Sequence, residues 1–296
     1  MTCPICAGTA SWPIRYQHDR QVDAWRAEGG DRATYDWQLC RRCGNAYPSR
    51  QPDRHVLRRI WAVNRTVDGS DPNAVTKAWN HRRAISRAGA ERSYRMFAPL
   101  VSGRGRFLDI ACGLGETVRM FEQHGWQAEG IDADPATATI HHELGIRTRV
   151  GQFEDMEIVG GYRIIHIAHA IYFITEPLAF MRKIRDRLSP DGLFCVVVAD
   201  FMANADPGLP SYAHSFFPTG ASMRYALAVA GFETVMSKTH SGSIYLAARP
   251  ASDAALPVVS TSTIRLGYLT KRLRYAAIGR PYLALRQWAK RVLGRD

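Results

Sequence analysis

The chain has 296 residues, 46% of them apolar and 22% charged, which excludes wholesale disorder and is enough for one large folded unit plus something smaller. No apolar run reaches the roughly 18 residues needed to span a bilayer, and "MTCPICAGTASWP" lacks the basic start and apolar core of a secretory signal, so a cytoplasmic protein is expected. The net charge of +12 sits in the flanks: residues 1–100 carry 17 Lys and Arg against 9 Asp and Glu, residues 264–296 carry 9 against 1, and residues 101–263 carry 13 against 17.

Four of the six cysteines fall early, as Cys3-Pro-Ile-Cys6 and Cys40-Arg-Arg-Cys43-Gly44. Two residues between sulfurs let both thiolates of a pair reach one tetrahedral ion from a tight turn, and Gly44 follows where the chain must bend away. Two such pairs make a structural four-cysteine zinc site, with the strand-like "YDWQLC" inside the spacer. A disulfide framework does not suit a chain without an export signal. A zinc module is therefore expected over residues 1–60. Cys112 and Cys195 read as small buried residues.

From residue 74, "AVTKAWNHRRAISRAGAERSYRMFAPLV" carries apolar residues at helical spacing and stops at Ser102-Gly103. Strands and helices then alternate. "RFLDIAC" reads as a strand, "GETVRMFEQHG" as a helix, "WQAEGIDAD" as a strand and "PATATIHHELG" as a helix, with His141 and His142 expected to be solvated. "RTRVGQF" and "GYRIIHIAHAI" read as strands, "TEPLAFMRKIRDRL" as a helix, "SPDG" as a turn and "GLFCVVVAD" as a doubly covered central strand. "GASMRYALAVAG" is a helix, and "FETVMSKTH" and "GSIYLAARP" are two strands around a Ser-Gly-Ser turn. This order predicts an α/β fold over residues 74–250: an open, mostly parallel, doubly wound Rossmann-like sheet with an antiparallel strand near its end.

In such a sheet the ligand lies beyond the carboxyl ends of the strands, and "ACGLGET" occupies that place after the first one. Gly113 and Gly115 supply two glycines, but Val118 stands where a dinucleotide loop has its third, and no Lys-Ser/Thr follows for a triphosphate loop. The backbone is bared without a pyrophosphate to cradle. Asp132 ends the second strand, where a carboxylate can take both hydroxyls of a ribose. Adenosine without phosphates, carrying a zwitterionic tail near a helix N-terminus, is S-adenosylmethionine.

With these pieces in order, the sequence resembles the class I S-adenosylmethionine-dependent methyltransferases over roughly residues 74–250. "LDIACGLGET" is similar to the family's L-D-I-G-C-G-x-G, with Ala111 replacing the first glycine, and "GIDADP" to its ribose-binding strand end. The resemblance implies that Asp109, Ala111, Gly113 and Gly115 surround the methionine end and ribose. It also implies that Asp132 holds the ribose hydroxyls, that Gln152 and Phe153 meet the adenine, and that His169 faces the sulfur region. The cysteine segment joined to this domain also resembles sugar C-methyltransferases, whose Tyr-Glu-His stretch is matched by Tyr212 and His214. Ala213 replaces their acid and their long C-terminal domain has no counterpart, so transfer to an oxygen is favoured.

Methyl transfer requires alignment of donor and acceptor and removal of the acceptor's proton. His214, in the loop expected to roof the substrate pocket, is the first choice of base, with His169 and Tyr212 as further catalytic residues and Asp200 ending the fifth strand nearby. The expected acceptor is a sugar, glycan or other small molecule. The alternatives are an RNA or ribosome-directed methyltransferase that uses the basic flanks and zinc module on nucleic acid, and a non-catalytic binding protein. Residues 258–296 form a basic helical tail. Leu266, Leu269 and Leu273 begin one apolar stripe, and Leu285, Trp288, Ala289, Val292 and Leu293 follow after Pro281. Such a tail either docks on protein or lies at an anionic membrane surface, which would make the protein peripheral at the inner face.

Overall fold

Alternating apolar residues on each strand of the central sheet build two layers of core. The structure, a computed structural model, describes residues 2–15, 36–51, 53–55, 57, 72–135, 137–204, 214–279 and 281–282. A small antiparallel sheet comes first: β1 (Ser11–Arg15), β2 (Asp36–Cys40) and β3 (Ala46–Pro48), in that order. Helix α1 (Pro72–Phe97) leads into β4 (Arg106–Ile110), α2 (Glu116–Gln123), β5 (Gln127–Asp132), α3 (Thr137–Glu143) and β6 (Thr148–Val150). Next come β7 (Tyr162–Ala168), α4 (Pro177–Arg185), β8 (Leu188–Ala199), α5 (Phe201–Asn204) and α6 (Gly220–Val229). The hairpin β9 (Phe232–His240) and β10 (Ser243–Pro250) precedes α7 (Thr261–Arg274).

The seven-stranded sheet runs β6-β5-β4-β7-β8-β10-β9. Its first five strands are parallel, and β10 is antiparallel to both β8 and β9. The expected mostly parallel sheet with a late antiparallel strand is what forms. Leu108, Ile165, Ile167, Phe194, Val196 and Val198 face one side, where α4 and α6 bring Phe180, Met181, Met223 and Leu227 and the small sheet brings Trp37 and Leu39. Phe107, Ile164, Leu193, Cys195 and Val197 face the other, under Phe97 of α1 and Val118 and Phe121 of α2.

Three local expectations are corrected. The stretch expected as one strand over 147–153 pairs only through Thr148–Val150, and Phe153–Asp155 coil into a single 3-10 turn. The Ser189-Pro190-Asp191-Gly192 turn lies inside β8, as a bulge where pairing with β7 jumps from Tyr162–Leu188 to Ile164–Leu193. Ser189 Oγ donates to the Tyr162 carbonyl at 3.1 Å, and a Cβ on Gly192 would stand 2.6 Å from that same oxygen, so only glycine lets the bulge close. The hairpin turn uses two residues, Ser241 (φ 47°) and Gly242 (φ 76°), the left-handed pair whose twist matches the flanking strands.

Candidate active site

The chain leaves β4 through three left-handed residues, Ala111 (φ 55°), Gly113 (φ 55°) and Gly115 (φ 75°). Glycine adopts this conformation freely, whereas alanine is strained in it by about 1–2 kcal/mol. The loop is tied down from its neighbours. Cys112 N donates to the Ile131 carbonyl at 3.0 Å, and Gly113 N donates to Asp132 Oδ2 at 2.7 Å. Asp132 Oδ1 accepts from Asp134 N at 2.9 Å. The two glycines do different things. At Gly113 a Cβ would meet nothing within 4 Å, whereas at Gly115 it would lie 2.2 Å from Ile146 Cδ1 and 3.1 Å from His141 Cδ2. Gly113 bares backbone; Gly115 lets the end of α3 pack against the start of α2.

His141 is therefore not solvated. It is buried, and its Nε2 donates to the Gly113 carbonyl at 2.7 Å, which fixes its tautomer and braces the loop. Glu116, also buried, opens α2 where the helix dipole favours an acid, and Arg83 of α1 meets its carboxylate at 3.3 Å.

Over the carboxyl ends of β4, β5 and β7 lies a cavity of about 470 Å³, a size ordinary for small-molecule sites. Ala111, Gly113, Asp132 and Gln152 line it, as do His169, Phe173 and Ile174, with Arg54, Arg82 and Glu154 adding charged side chains. His169 (φ 53°) is left-handed too, so two of the four non-glycine residues with positive φ among the described residues line this cavity. Strain of that kind collects at functional sites. Burial, with a smaller contribution from His166, lowers the His169 pKa from the ordinary imidazole value and so favours the neutral ring.

Other expected site residues sit elsewhere. Asp109 is buried in β4 and accepts a 2.7 Å bond from His166 Nδ1 on the neighbouring strand, among the rings of Phe97 and Phe107. It supports the sheet beneath the loop and does not line the cavity. Gly115 does not line it either. Phe153 is turned into the core against Phe180, with the Lys183 ammonium 4.9 Å from its ring centre. His214 is sealed among Tyr172, Phe173 and Phe217, at ring separations of 4.3, 4.9 and 5.4 Å, and is absent from the cavity wall. Burial pushes its pKa down to about 3. Asp200 spends Oδ1 on the backbone N–H of Met202, at the start of α5, and is likewise off the wall. Tyr212 lies outside the described residues.

The four N-terminal cysteines converge, with Sγ atoms all within 4.8 Å of one another. A tetrahedron with metal–sulfur bonds of about 2.3 Å has edges of about 3.8 Å, so the donor set fits zinc. Each pair sits in the same turn: Ala7 N donates to the Cys3 carbonyl at 2.9 Å and Gly44 N to the Cys40 carbonyl at 3.1 Å, with Ala7 (φ 53°) and Gly44 (φ 69°) bending the chain away. The cluster is stitched to the large domain. Ala46 and Phe217 exchange two backbone hydrogen bonds of 2.7 and 3.1 Å, and Gln51 Nε2 donates to the Ser215 carbonyl at 2.9 Å. Ser215 in turn donates from N to the Tyr172 carbonyl at 2.7 Å and from Oγ to that of Ile174.

Comparison with known proteins agrees with this geometry. The methyltransferase-domain family model matches residues 79–237, more than half of the chain. No curated protein matches the sequence. Among solved structures, the PH0226 protein of Pyrococcus horikoshii OT3 is similar at 16% identity and a TM-score of 0.48, over 55% of this chain and 90% of that one. The CcbJ methyltransferase of Streptomyces caelestis is similar at 16% identity and a TM-score of 0.47, over 56% and 90%. The glycopeptide N-methyltransferase MtfA, complexed with S-adenosylmethionine, is similar at 13% identity and a TM-score of 0.45, over 55% and 94%. From the family match, the chain belongs to the methyltransferase-domain family and is an enzyme of that class.

Proposed function

We propose that the enzyme moves a methyl group to an oxygen of a sugar, glycan or other small molecule. The observation that carries this reading is the mixed lining of the cavity: the Gly113 loop and the Asp132 carboxylate together with Phe173, Ile174 and a histidine whose burial favours its neutral form. Asp132 has two carboxylate oxygens with about four lone-pair sites, and two are taken by backbone N–H groups, which leaves room for two ribose hydroxyls. Gly113 lets the donor approach its backbone, and the Gln152 carbonyl can accept from an adenine amino group. Bound S-adenosylmethionine supplies a methyl carbon on a positively charged sulfur. Phe173 and Ile174 exclude water from the acceptor side, and an imidazole nitrogen of His169 takes the acceptor hydroxyl's proton. Of the two described residues expected to act in catalysis, His169 lines the cavity and His214 does not.

Zinc belongs to the same reading, with Cys3, Cys6, Cys40 and Cys43 as its four ligands. A metal with all four positions filled by protein has no open site for chemistry, so it holds the N-terminal segment in shape. The basic flanks favour a second reading, an RNA acceptor. One experiment separates them: incubation with methyl-labelled cofactor and fractionated cell extract. Label in small molecules or polysaccharide supports the first reading, label in RNA the second, and no transfer to any fraction overturns both.

A further inference from the structure

Helix α7 has two faces with opposite fates. Ile264 and Tyr268 are buried: Tyr268 stacks on Phe201 at 5.9 Å, and Ile264 reaches Gly44 in the second cysteine turn. Thr261 Oγ1 donates to the Arg41 carbonyl at 3.0 Å, and Lys271 Nζ donates to the carbonyls of Met202 and Ala203. The helix is thereby fixed to the body of the protein along one side. On the opposite side Leu266, Leu269 and Leu273 are 66%, 44% and 71% exposed. At 100° per residue these three fall within one narrow stripe. Arg265 and Arg272 border it on one side and Arg274 on the other, and no acidic residue occurs in Thr261–Arg274. Beyond the helix, Ile278 and Tyr282 are again exposed.

We infer that this face is a docking surface for an anionic lipid bilayer, which α7 meets lying flat. A row of leucines between arginines suits that occupant: the leucines sink to the headgroup boundary while the guanidinium groups of Arg272 and Arg274 meet lipid phosphates, that of Arg265 lying over the Trp12 ring 4.8 Å from its centroid. A second copy of the chain would bring arginines against arginines, which disfavours self-association through the same face. The chain continues in the same character past the described residues, with Arg286, Lys290, Arg291 and Arg295 around Trp288 in the sequence. No helix among the described residues is long and apolar enough to cross a membrane, so contact is with one leaflet. The docked side of α7 rests on α5 and the cysteine turns, so the bilayer would lie against the part of the enzyme that carries both.

The test is co-sedimentation of the full chain with vesicles of phosphatidylcholine alone and of phosphatidylcholine mixed with phosphatidylglycerol. The expected result is at least about tenfold stronger partitioning onto the anionic vesicles, largely released by high salt. The triple substitution Leu266→Ser, Leu269→Ser, Leu273→Ser should lower that partitioning about tenfold or more. Unchanged affinity for S-adenosylhomocysteine will show that the variant is folded. Four results overturn the inference: no partitioning onto anionic vesicles, partitioning that the triple substitution leaves intact, a dimer that the substitution dissolves, or binding to polyuridine RNA in place of vesicles.

Discussion

Replacing Asp132 with asparagine tests the cofactor wall at its most connected atom pair. In the native protein each carboxylate oxygen accepts a backbone N–H, from Gly113 at 2.7 Å and from Asp134 at 2.9 Å. Asparagine keeps one acceptor oxygen and turns an amide N–H2 toward the other donor. One backbone N–H in a buried loop then loses its partner, a cost of about 1–3 kcal/mol. At about 2–4 °C per kcal/mol for a domain of this size, the melting temperature should fall by roughly 2–12 °C without cofactor. On the proposed reading, in which this carboxylate receives the ribose hydroxyls, removing its charge should weaken cofactor binding by a further ~1.5–3 kcal/mol, about 10- to 150-fold. Differential scanning fluorimetry reads the first effect, and calorimetric titration with S-adenosylhomocysteine the second. A lower melting temperature with unchanged affinity would make Asp132 a loop brace and refute its role toward ribose. No change in either would refute the whole description of the loop.

Purified protein should hold one zinc ion per chain by elemental analysis, and Cys43→Ser should lose it; protein kept reduced and found metal-free would refute the site. His169→Ala should lower turnover by about 10²–10⁴-fold with cofactor affinity unchanged. In the native enzyme the lowered His169 pKa should place the acid limb of turnover below the ordinary imidazole value; an alkaline shift of that limb would contradict the assignment. His214 gives a stability signal. Its folded pKa of about 3 lies below the ordinary imidazole value of 6.5, so as pH falls below 6.5 the unfolded chain takes up a proton that the folded one refuses, and stability drops. Between about pH 7.5 and about pH 5 the loss should be about 2 kcal/mol, and His214→Phe should abolish most of it in urea titrations. Equal acid sensitivity in both proteins would show that His214 is not held neutral.

The succession of strands and helices along the chain and the position of the loop are legible in the sequence because apolar runs and glycines carry them directly: "LFCVVV" reads as a covered strand, and Gly113 marks a bared backbone. The cysteine pairs are legible for the same reason, since two-residue spacing is local chemistry. His141 is not. On α3, only Thr137–Glu143 long, no sequence periodicity says which of two adjacent histidines turns inward, and the answer depends on the space that Gly115 leaves. His166 sits in an apolar strand, and its bond to Asp109 depends on β4 and β7 being neighbours in register. Analogy of position puts Phe153 and His214 at the site, whereas aromatic packing sets where their rings go. The Ser189–Gly192 bulge reads as a turn because Ser, Pro, Asp and Gly are turn formers. Its closure onto Tyr162 is a long-range contact invisible in the local pattern.

The seam between the cysteine segment and the large sheet makes two distant events one equilibrium. Ala46 grips Phe217, Gln51 grips Ser215, and Ser215 grips the carbonyls of Tyr172 and Ile174 on either side of Phe173. The acceptor side of the cavity thus hangs from the strand that follows Cys43, while the donor side rests on β4, β5 and α3. Free energy passed along such a chain of contacts is reciprocal. On the proposed reading, an acceptor that steadies the Phe173 wall should also favour metal at the sulfurs, and stripping the sulfurs should weaken the hold on the acceptor by the same free energy.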